Sequence, residues 1–169
     1  NIKTEMNYWP SEPGNLGELQ MPLINWVKNL AISVVITAKN YYKCKGWVAH
    51  HNSDLWCLSN AVGDFGDGDP VWANWAMGGN WLSTHLWEHY LFTLDVDYLR
   101  DVSPVMKGAA EFCCDWLVEK DGYLITSPST SPENLFYGPD GNTHSVCEGS
   151  TMDLGIIREV LGNAISASE

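Results

Sequence analysis

Basic residues are scarce in this chain: nine lysines and arginines stand against 21 aspartates and glutamates, and the formal net charge is −12. So negative a chain repels polyanions, which argues against nucleic acid or an anionic membrane surface as a partner. We also find no apolar run in the sequence that is long enough to span a membrane. Disorder is excluded as well, because 45% of the residues are hydrophobic.

A Cys-x-x-Cys pair is absent. The chain has five cysteines, an odd number, at positions Cys44, Cys57, Cys113, Cys114 and Cys147. Their spacing fits neither a zinc ribbon nor a thioredoxin-like site. Two of them, Cys113 and Cys114, are adjacent, so on a helix at most one can face the core.

An initiator methionine is absent too, since residue 1 is an asparagine, and the first residues do not form a signal sequence. At the other end, a helical pattern is still running when the chain reaches Glu169. We interpret the chain as an internal part of a longer protein. The absence of a targeting signal therefore has no bearing on location.

Aromatic residues, by contrast, are plentiful, with nine tryptophans and seven tyrosines. Tryptophan packs in cores, and it also forms flat platforms on which the apolar faces of sugars stack. At 169 residues the chain is long enough to bury a sizeable core as one domain. Core packing and sugar binding both remain open as reasons for the tryptophans.

Residues 126–134 are the most informative stretch for function. Two prolines among serines and threonines predict a loop without helix or strand, and each X-Pro step stiffens it. The loop follows a strand-like apolar run, residues 123–125, and ends on Glu133 beside Phe136 and Tyr137. A carboxylate on a stiff loop among aromatic rings suits a general acid. The alternative is a solvated turn with an incidental glutamate.

Most of the remaining chain predicts helices. Apolar residues recur at helical spacing in residues 16–30, 31–42, 76–94, 103–117 and 151–165, and residues 1–14 predict a loop. Ser103 and Pro104 resemble a helix start, and Ser150 resembles the first residue of a capping box. Residues 76–94 are apolar nearly all round, which indicates a buried inner helix. Long helices, long polar loops and almost no strand favour an all-α toroid of inner and outer helices, with a site on one rim.

A metal site is one alternative function. Residues 85–89 spell His-Leu-Trp-Glu-His, which matches the His-x-x-Glu-His signature of a class of zinc peptidases. On a helix this spacing puts His85 and His89 one turn apart, with Glu88 able to act as a base. No third ligand is evident, and histidines on a buried helix commonly bond to backbone or carboxylate groups. We therefore expect no metal and no cofactor.

A compact polar cluster occupies residues 50–54, His-His-Asn-Ser-Asp. One interpretation is a loop held together by its own side-chain hydrogen bonds. The other is a set of partners for sugar hydroxyl groups. Asp64, Asp67 and Asp69 alternate with glycine, but they lack the bidentate glutamate of a calcium loop, so a solvated turn is the better interpretation.

Several motifs occur in a fixed order over nearly the whole chain. They are Asn1-Ile2-x-Thr4-Glu5-Met6-Asn7-Tyr8-Trp9-Pro10, Gly46-Trp47-Val48-Ala49-His50, Met77-Gly78-Gly79-x-Trp81-Leu82, His85-Leu86-Trp87-Glu88-His89-Tyr90 and Ser127-Pro128-Ser129-Thr130-Ser131-Pro132-Glu133-Asn134. Together they resemble the plant-type members of glycoside hydrolase family 95, the α-L-fucosidase family. Any one motif alone would be weak, whereas the ordered combination is specific.

The resemblance implies an (α/α)6 catalytic barrel, of which this chain would hold roughly the first half. It implies inverting hydrolysis of terminal α-1,2-linked L-fucose from an oligosaccharide or cell-wall glycan, without a cofactor and outside the cell. Glu133 matches the family's general acid, and Asn1 matches the first asparagine of an Asn-x-Asn motif that positions the attacking water. Sugar-binding residues are expected at Trp75, His50 and Asp54. Either Trp75 or Trp81 should line the pocket, while Trp116 belongs to the core.

Two departures from the family pattern bear on activity. Lys3 stands where the second asparagine of Asn-x-Asn is expected, and an ammonium group cannot replace an amide that orients water. The aspartate that assists the water is expected far downstream and is absent from these 169 residues. We therefore expect no activity from this segment alone. A non-catalytic sugar-binding remnant is the alternative within the same family.

Overall fold

The structure, a computed structural model, describes residues 2–61, 63 and 67–169. Helix accounts for 54% of the chain and strand for 10%, which confirms a mostly helical fold. The α-helices of the described residues are α1 (Ile2–Tyr8), α2 (Met21–Ser33), α3 (Val35–Thr37), α4 (Pro70–Ala73), α5 (Gly78–Thr93), α6 (Val96–Trp116) and α7 (Thr151–Ser166). A 3-10 turn, Gly17–Leu19, precedes α2, and a π-helical turn, Ala38–Tyr42, follows α3.

Short antiparallel strand pairs fill the segment between α6 and α7. Strand β1 (Leu117–Lys120) pairs with β2 (Tyr123–Thr126), β3 (Ser129–Thr130) with β6 (Val146–Cys147), and β4 (Phe136–Tyr137) with β5 (Thr143–His144). The strand-like run at residues 123–125 is thus confirmed. The prediction that residues 126–134 contain no strand is wrong, because Ser129 and Thr130 pair with Cys147 and Val146. This pairing fixes the start of residues 126–134, the acid loop, which carries the predicted general acid Glu133.

Helix α5 forms the centre of the core, as its apolar sequence predicts. It packs against α2, α6 and α7. Leu82 and Leu86 are buried on it, and the buried Asn80 side chain donates to the carbonyl oxygen of Ala109 on α6 at 3.0 Å. The amide nitrogen of Asn80 can be buried here because it has an acceptor.

The glycine pair that opens α5 allows close contact with residues 47–50. A Cβ atom at Gly78 would lie 2.3 Å from the carbonyl oxygen of His50, and one at Gly79 would lie 2.5 Å from the Trp47 ring. The Gly79 N–H donates to the carbonyl oxygen of Ala49 at 3.1 Å. Two of the sequence motifs therefore pack directly on each other, and a side chain at either glycine would separate them.

Helix α6 begins earlier than the sequence predicts. Ser103 and Pro104 were expected to open it, but they lie inside it, and Asp95 caps the helix by accepting from the N–H groups of Asp97 and Tyr98. A proline inside a helix costs a hydrogen bond. Burial of one face of the helix offsets that cost, through Val102, Met106, Ala109, Phe112 and Cys113. Cys113 is buried and Cys114 exposed, which confirms that only one of the pair faces the core.

The N-terminal part of the chain also differs from the prediction. Residues 2–8 form helix α1 rather than a loop. The predicted helix over residues 16–30 begins only at Met21, with Pro22 in its first turn, and Leu16 and Leu19 are exposed. Proline suits the first turn of a helix because its missing N–H has no intrahelical partner there.

One helical stretch among the described residues, Gly17–Tyr42, has the length and mean hydropathy (1.4) of a membrane span. The sequence-based statement that no apolar run is long enough therefore needs this correction. Within the stretch, α2 buries Leu23, Ile24, Val27, Leu30 and Ala31 in the core. Core helices share these properties with membrane spans.

Candidate active site

Glu133 borders a cavity of about 430 Å³ close to β3. The side chains around the cavity come from five parts of the chain: helix α1, the 50–54 cluster, α5 with the residues just before it, the loop that carries Glu133, and the start of α7. The lining residues are Ile2, Lys3, His51, Trp75, Trp81, Pro132, Glu133 and Met152. Among these, Glu133 carries the only carboxylate, so an acid acting in this cavity from the described residues would be Glu133.

His51 is a basic group close to that carboxylate. Its Nε2 lies 3.7 Å from Glu133 Oε1, and its side chain is 17% exposed, whereas that of Glu133 is 64% exposed. Burial lowers the pKa of His51 below its ordinary value, and the Glu133 carboxylate acts in the opposite direction. His51 is therefore mostly neutral at pH 7. It can act as a dipolar neighbour of Glu133 rather than as a fixed cation.

Aromatic rings form one wall of the cavity. The ring centroids of Trp75 and Trp81 are 6.0 Å apart, those of Trp9 and Trp81 are 6.4 Å apart, and those of His51 and Trp75 are 6.3 Å apart. Trp75 is only 2% exposed, whereas Trp81 is half-buried. Trp81 therefore has more ring surface free for an apolar sugar face, and Trp75 supports it edge-on.

The buried carboxylate of Asp153 forms a hydrogen bond with the Trp75 ring. Trp75 Nε1 donates to Asp153 Oδ1 at 2.8 Å. The hydroxyl groups of Thr126 and Ser129 donate to Asp153 Oδ2 at 3.0 and 2.6 Å. One side chain in the first turn of α7 is thus bonded to the aromatic wall and to the segment that leads to Glu133.

The other predicted site residues lie elsewhere. His50 is buried, and its ring bonds to the Tyr42 hydroxyl and to the carbonyl oxygen of Ser59. Asp54 is exposed and accepts from the N–H groups of Trp56 and Leu58. Neither residue lines the cavity beside Glu133, so their role in sugar binding stays a prediction. Asn1 lies outside the described residues.

Trp116 packs against the hydrophobic core, as predicted. Its ring stacks on Phe112 with centroids 6.1 Å apart, and it meets Tyr42 edge-on at 4.8 Å. Its position follows from the regular apolar stripe of α6. Trp75 also belongs to this core and is buried more deeply than Trp116, so in this chain a core position and a place in a cavity lining are not exclusive.

The two histidines of the zinc-like signature have protein partners. His85 is bonded through Nε2 to the Glu5 carboxylate and lies 2.9 Å from Gln20 Nε2 through Nδ1. His89 Nδ1 lies 2.6 Å from Glu12 Oε1. Burial raises the pKa of Glu88. In the described part of the chain no cluster of three or more His, Cys, Asp or Glu residues could hold a metal ion.

The sequence did not predict two residues that line the cavity, His51 and Met152, or Asp153, which bonds to Trp75. His51 belongs to the polar cluster that was singled out, but its neighbour His50 was chosen instead. Met152 and Asp153 follow Ser150, and only the capping role of that segment was predicted. The signal for His51 was the residue type. The hydrogen bonds of Asp153 span 24, 27 and 78 residues of sequence, and contacts so distant leave no local pattern.

The helical fold, with a carboxylate beside tryptophans in a cavity, has the features of a glycoside hydrolase. A sequence profile described as the glycosyl hydrolase family 95 catalytic domain matches residues 1–169. The chain therefore belongs to glycosyl hydrolase family 95, which confirms the resemblance drawn from its motifs.

Two curated relatives support this assignment. "Alpha-L-fucosidase 2" of Arabidopsis thaliana is 47% identical over 171 residues, which cover 100% of this chain and 20% of the relative. "Probable alpha-fucosidase A" of Aspergillus niger is 32% identical over 145 residues, which cover 79% of this chain and 17% of the relative. The chain thus spans about a fifth of the length of the curated relatives that it matches.

Proposed function

We propose that this chain forms part of the catalytic domain of an α-L-fucosidase that hydrolyses terminal α-1,2-linked L-fucose with inversion at the anomeric carbon. The observation that carries the proposal is Glu133, held on a loop after β3 at a cavity walled by Trp75 and Trp81. The names of the two fucosidase relatives support fucose as the sugar.

The proposed chemistry assigns Glu133 the role of general acid. Its proton passes to the glycosidic oxygen as the bond from that oxygen to the anomeric carbon breaks, so the leaving alcohol departs neutral. A water molecule attacks the same carbon from the opposite face and loses its proton to a base. Asn1 is proposed to orient this water. The base is expected in the part of the domain beyond this segment.

The proposed architecture is the (α/α)6 barrel of the family. The support for it is the position of α5, which is buried nearly all round in its first three turns against α2, α6 and α7. An inner helix of a toroid requires such burial. The proposed substrate is a fucosylated oligosaccharide or cell-wall glycan, and the proposed location is extracellular, where such glycans occur.

The direct test is fucose release by the full-length protein. We expect release from 2′-fucosyllactose and markedly slower release from α-1,3- and α-1,6-linked fucosides. Proton NMR during the first turnovers should detect β-L-fucose before mutarotation, because inversion converts the α linkage to the β anomer. Initial formation of α-L-fucose would contradict inversion. Equal rates on all linkages would contradict the proposed specificity.

Lys3 provides a second test, because it lines the cavity beside Glu133 where the family has an amide. Replacement of Lys3 by asparagine should raise kcat several-fold, since an amide can both donate to and accept from the attacking water. The KM should change little, because the water and not the sugar is affected. Steady-state kinetics on 2′-fucosyllactose measure both constants.

The matched control for this substitution is Lys39→Asn, an exposed lysine outside the cavity lining. An unchanged kcat for Lys3→Asn would show that position 3 does not hold the water. If the wild-type protein binds fucose and releases none, while Lys3→Asn restores release, the natural protein is a sugar-binding remnant.

A further inference from the structure

We propose that Asp153 is a positioning residue for the reaction. It fixes the acid loop relative to the aromatic wall formed by Trp75 and Trp81. This inference rests on the proposed function, because it assigns Asp153 a role toward Glu133 and Trp75. Asp153 does not itself line the cavity that contains Glu133. Its effect on the reaction would therefore pass through the residues that it holds.

The first observation is that both oxygens of the buried Asp153 carboxylate accept hydrogen bonds. Asp153 is only 3% exposed. Its Oδ1 accepts from Trp75 Nε1, and its Oδ2 accepts from the hydroxyl groups of Thr126 and Ser129. All three donors are neutral, and no ion pair found in the described part of the chain involves Asp153. A carboxylate can be buried without a cation when several donors and a helix N-terminus stabilise its charge.

The second observation is that the donors belong to the two structures that must be aligned. Ser129 lies on β3, four residues before Glu133, and its hydroxyl oxygen also accepts from the Ser150 N–H at 3.1 Å. Trp75 borders the same cavity as Glu133. Asp153 therefore connects the acid loop and the aromatic wall through one rigid side chain at the start of α7.

A second cavity lies next to the hydrogen bonds of Asp153. It has a volume of about 280 Å³ and is lined in part by Trp75, Ser129 and Asp153. Without the hydrogen bonds of Asp153, Trp75 and the loop have room to shift into this cavity. A displacement of about 1 Å at a catalytic group can cost about 100-fold in rate.

The test compares three substitutions in the full-length protein. Asp153→Asn keeps the volume but removes the carboxylate charge and one of its two acceptor oxygens, so the side chain can no longer accept from Trp75 and from both hydroxyl groups in the native arrangement. Ser129→Ala removes only the link to the acid loop. Trp75→Phe removes the indole N–H together with part of the bicyclic ring and keeps an aromatic side chain. Each is measured on 2′-fucosyllactose and on an aryl fucoside, whose leaving group needs no proton.

We expect Asp153→Asn to lower kcat on the glycan about 10- to 100-fold and to lower it much less on the aryl fucoside. Ser129→Ala should show the same substrate dependence, and Trp75→Phe should mainly raise KM. The double variant Asp153→Asn/Ser129→Ala should lose less than the product of the two single effects, because both break the same link.

Asp95→Asn is the matched control, because Asp95 also accepts from two donors at a helix start but caps α6 away from the cavity. It should leave kcat on both substrates unchanged. An equal loss on glycan and aryl fucoside for Asp153→Asn, or a loss of stability with unchanged kcat per folded molecule, would overturn the inference. If Asp153→Asn does not fold, the same comparison for Ser129→Ala decides.

Different results would contradict the fucosidase activity and the role of Asp153. A wild-type protein that releases no fucose from any fucoside overturns the proposed function. A wild-type protein that releases fucose and depends on Glu133, but tolerates Asp153→Asn and Ser129→Ala on the glycan, overturns only the role of Asp153.

Discussion

Replacement of Glu133 by glutamine in the full-length protein is expected to lower kcat on a fucosylated glycan by about two to four orders of magnitude. Glutamine keeps the size of the side chain, but its amide is too weak an acid to transfer a proton to the glycosidic oxygen. The sugar alcohol would then leave as an alkoxide, which is a poor leaving group. Binding should persist, so KM should change far less than kcat.

The same variant should lose far less activity on an aryl fucoside. A nitrophenolate leaves without a proton, so the acid contributes little to that reaction. The control is Glu119→Gln, the same chemical change at an exposed position on β1, which should leave both rates unchanged. Equal losses on both substrates for Glu133→Gln would remove Glu133 from the role of general acid.

Elements with a strong local signal were predictable from the sequence. The prediction for helix α5 was correct to within two residues at each end. The apolar residues that surround this helix mark its length in the sequence. Ser150 was predicted as a helix cap, and its side chain does accept from the Asp153 N–H. In both cases the determining interactions lie within a few residues of sequence.

Element boundaries that depend on distant contacts were not predictable. Residues 103 and 104 carry a good helix-start signal, yet the helix begins at Val96 because the Asp95 cap and the buried face of α6 stabilise the earlier turns. Residues 2–8 carry little helical signal. They form α1 while the Glu5 carboxylate bonds to His85, which is 80 residues away in the sequence.

The directions of the side chains were the part of the candidate site that could not be predicted from the sequence. His50 and His51 are adjacent and chemically identical, and the backbone turns the first toward Tyr42 and the second toward Glu133. No property of the residue type distinguishes them. The carboxylate and the tryptophan were predictable from motifs, whereas the choice between neighbouring histidines required the packing of residues 47–50 on α5.

Replacement of Glu5 by alanine is expected to lower the free energy of unfolding of the full-length protein by about 3 to 5 kcal/mol, because it breaks a buried pair by removing one partner. Glu5 and His85 are both buried, and His85 also contacts the buried Gln20. Alanine would leave the imidazole without a partner at Nε2 and open a cavity beside it. Urea unfolding followed by tryptophan fluorescence measures the change.

The comparison that isolates burial is Arg100→Ala, which breaks an ion pair with Asp97 whose side chains are 74% and 91% exposed. That substitution should cost less than about 1 kcal/mol, because water screens exposed charges. The double variant Glu5→Ala/His85→Ala should be more stable than the sum of the single effects predicts, since removal of both partners leaves no unpaired imidazole. A cost for Glu5→Ala no larger than that for Arg100→Ala would show that the Glu5–His85 contact does not hold α1 against α5. Lys3 would then lie at the cavity edge for some other reason, because α1 is the element that carries it there.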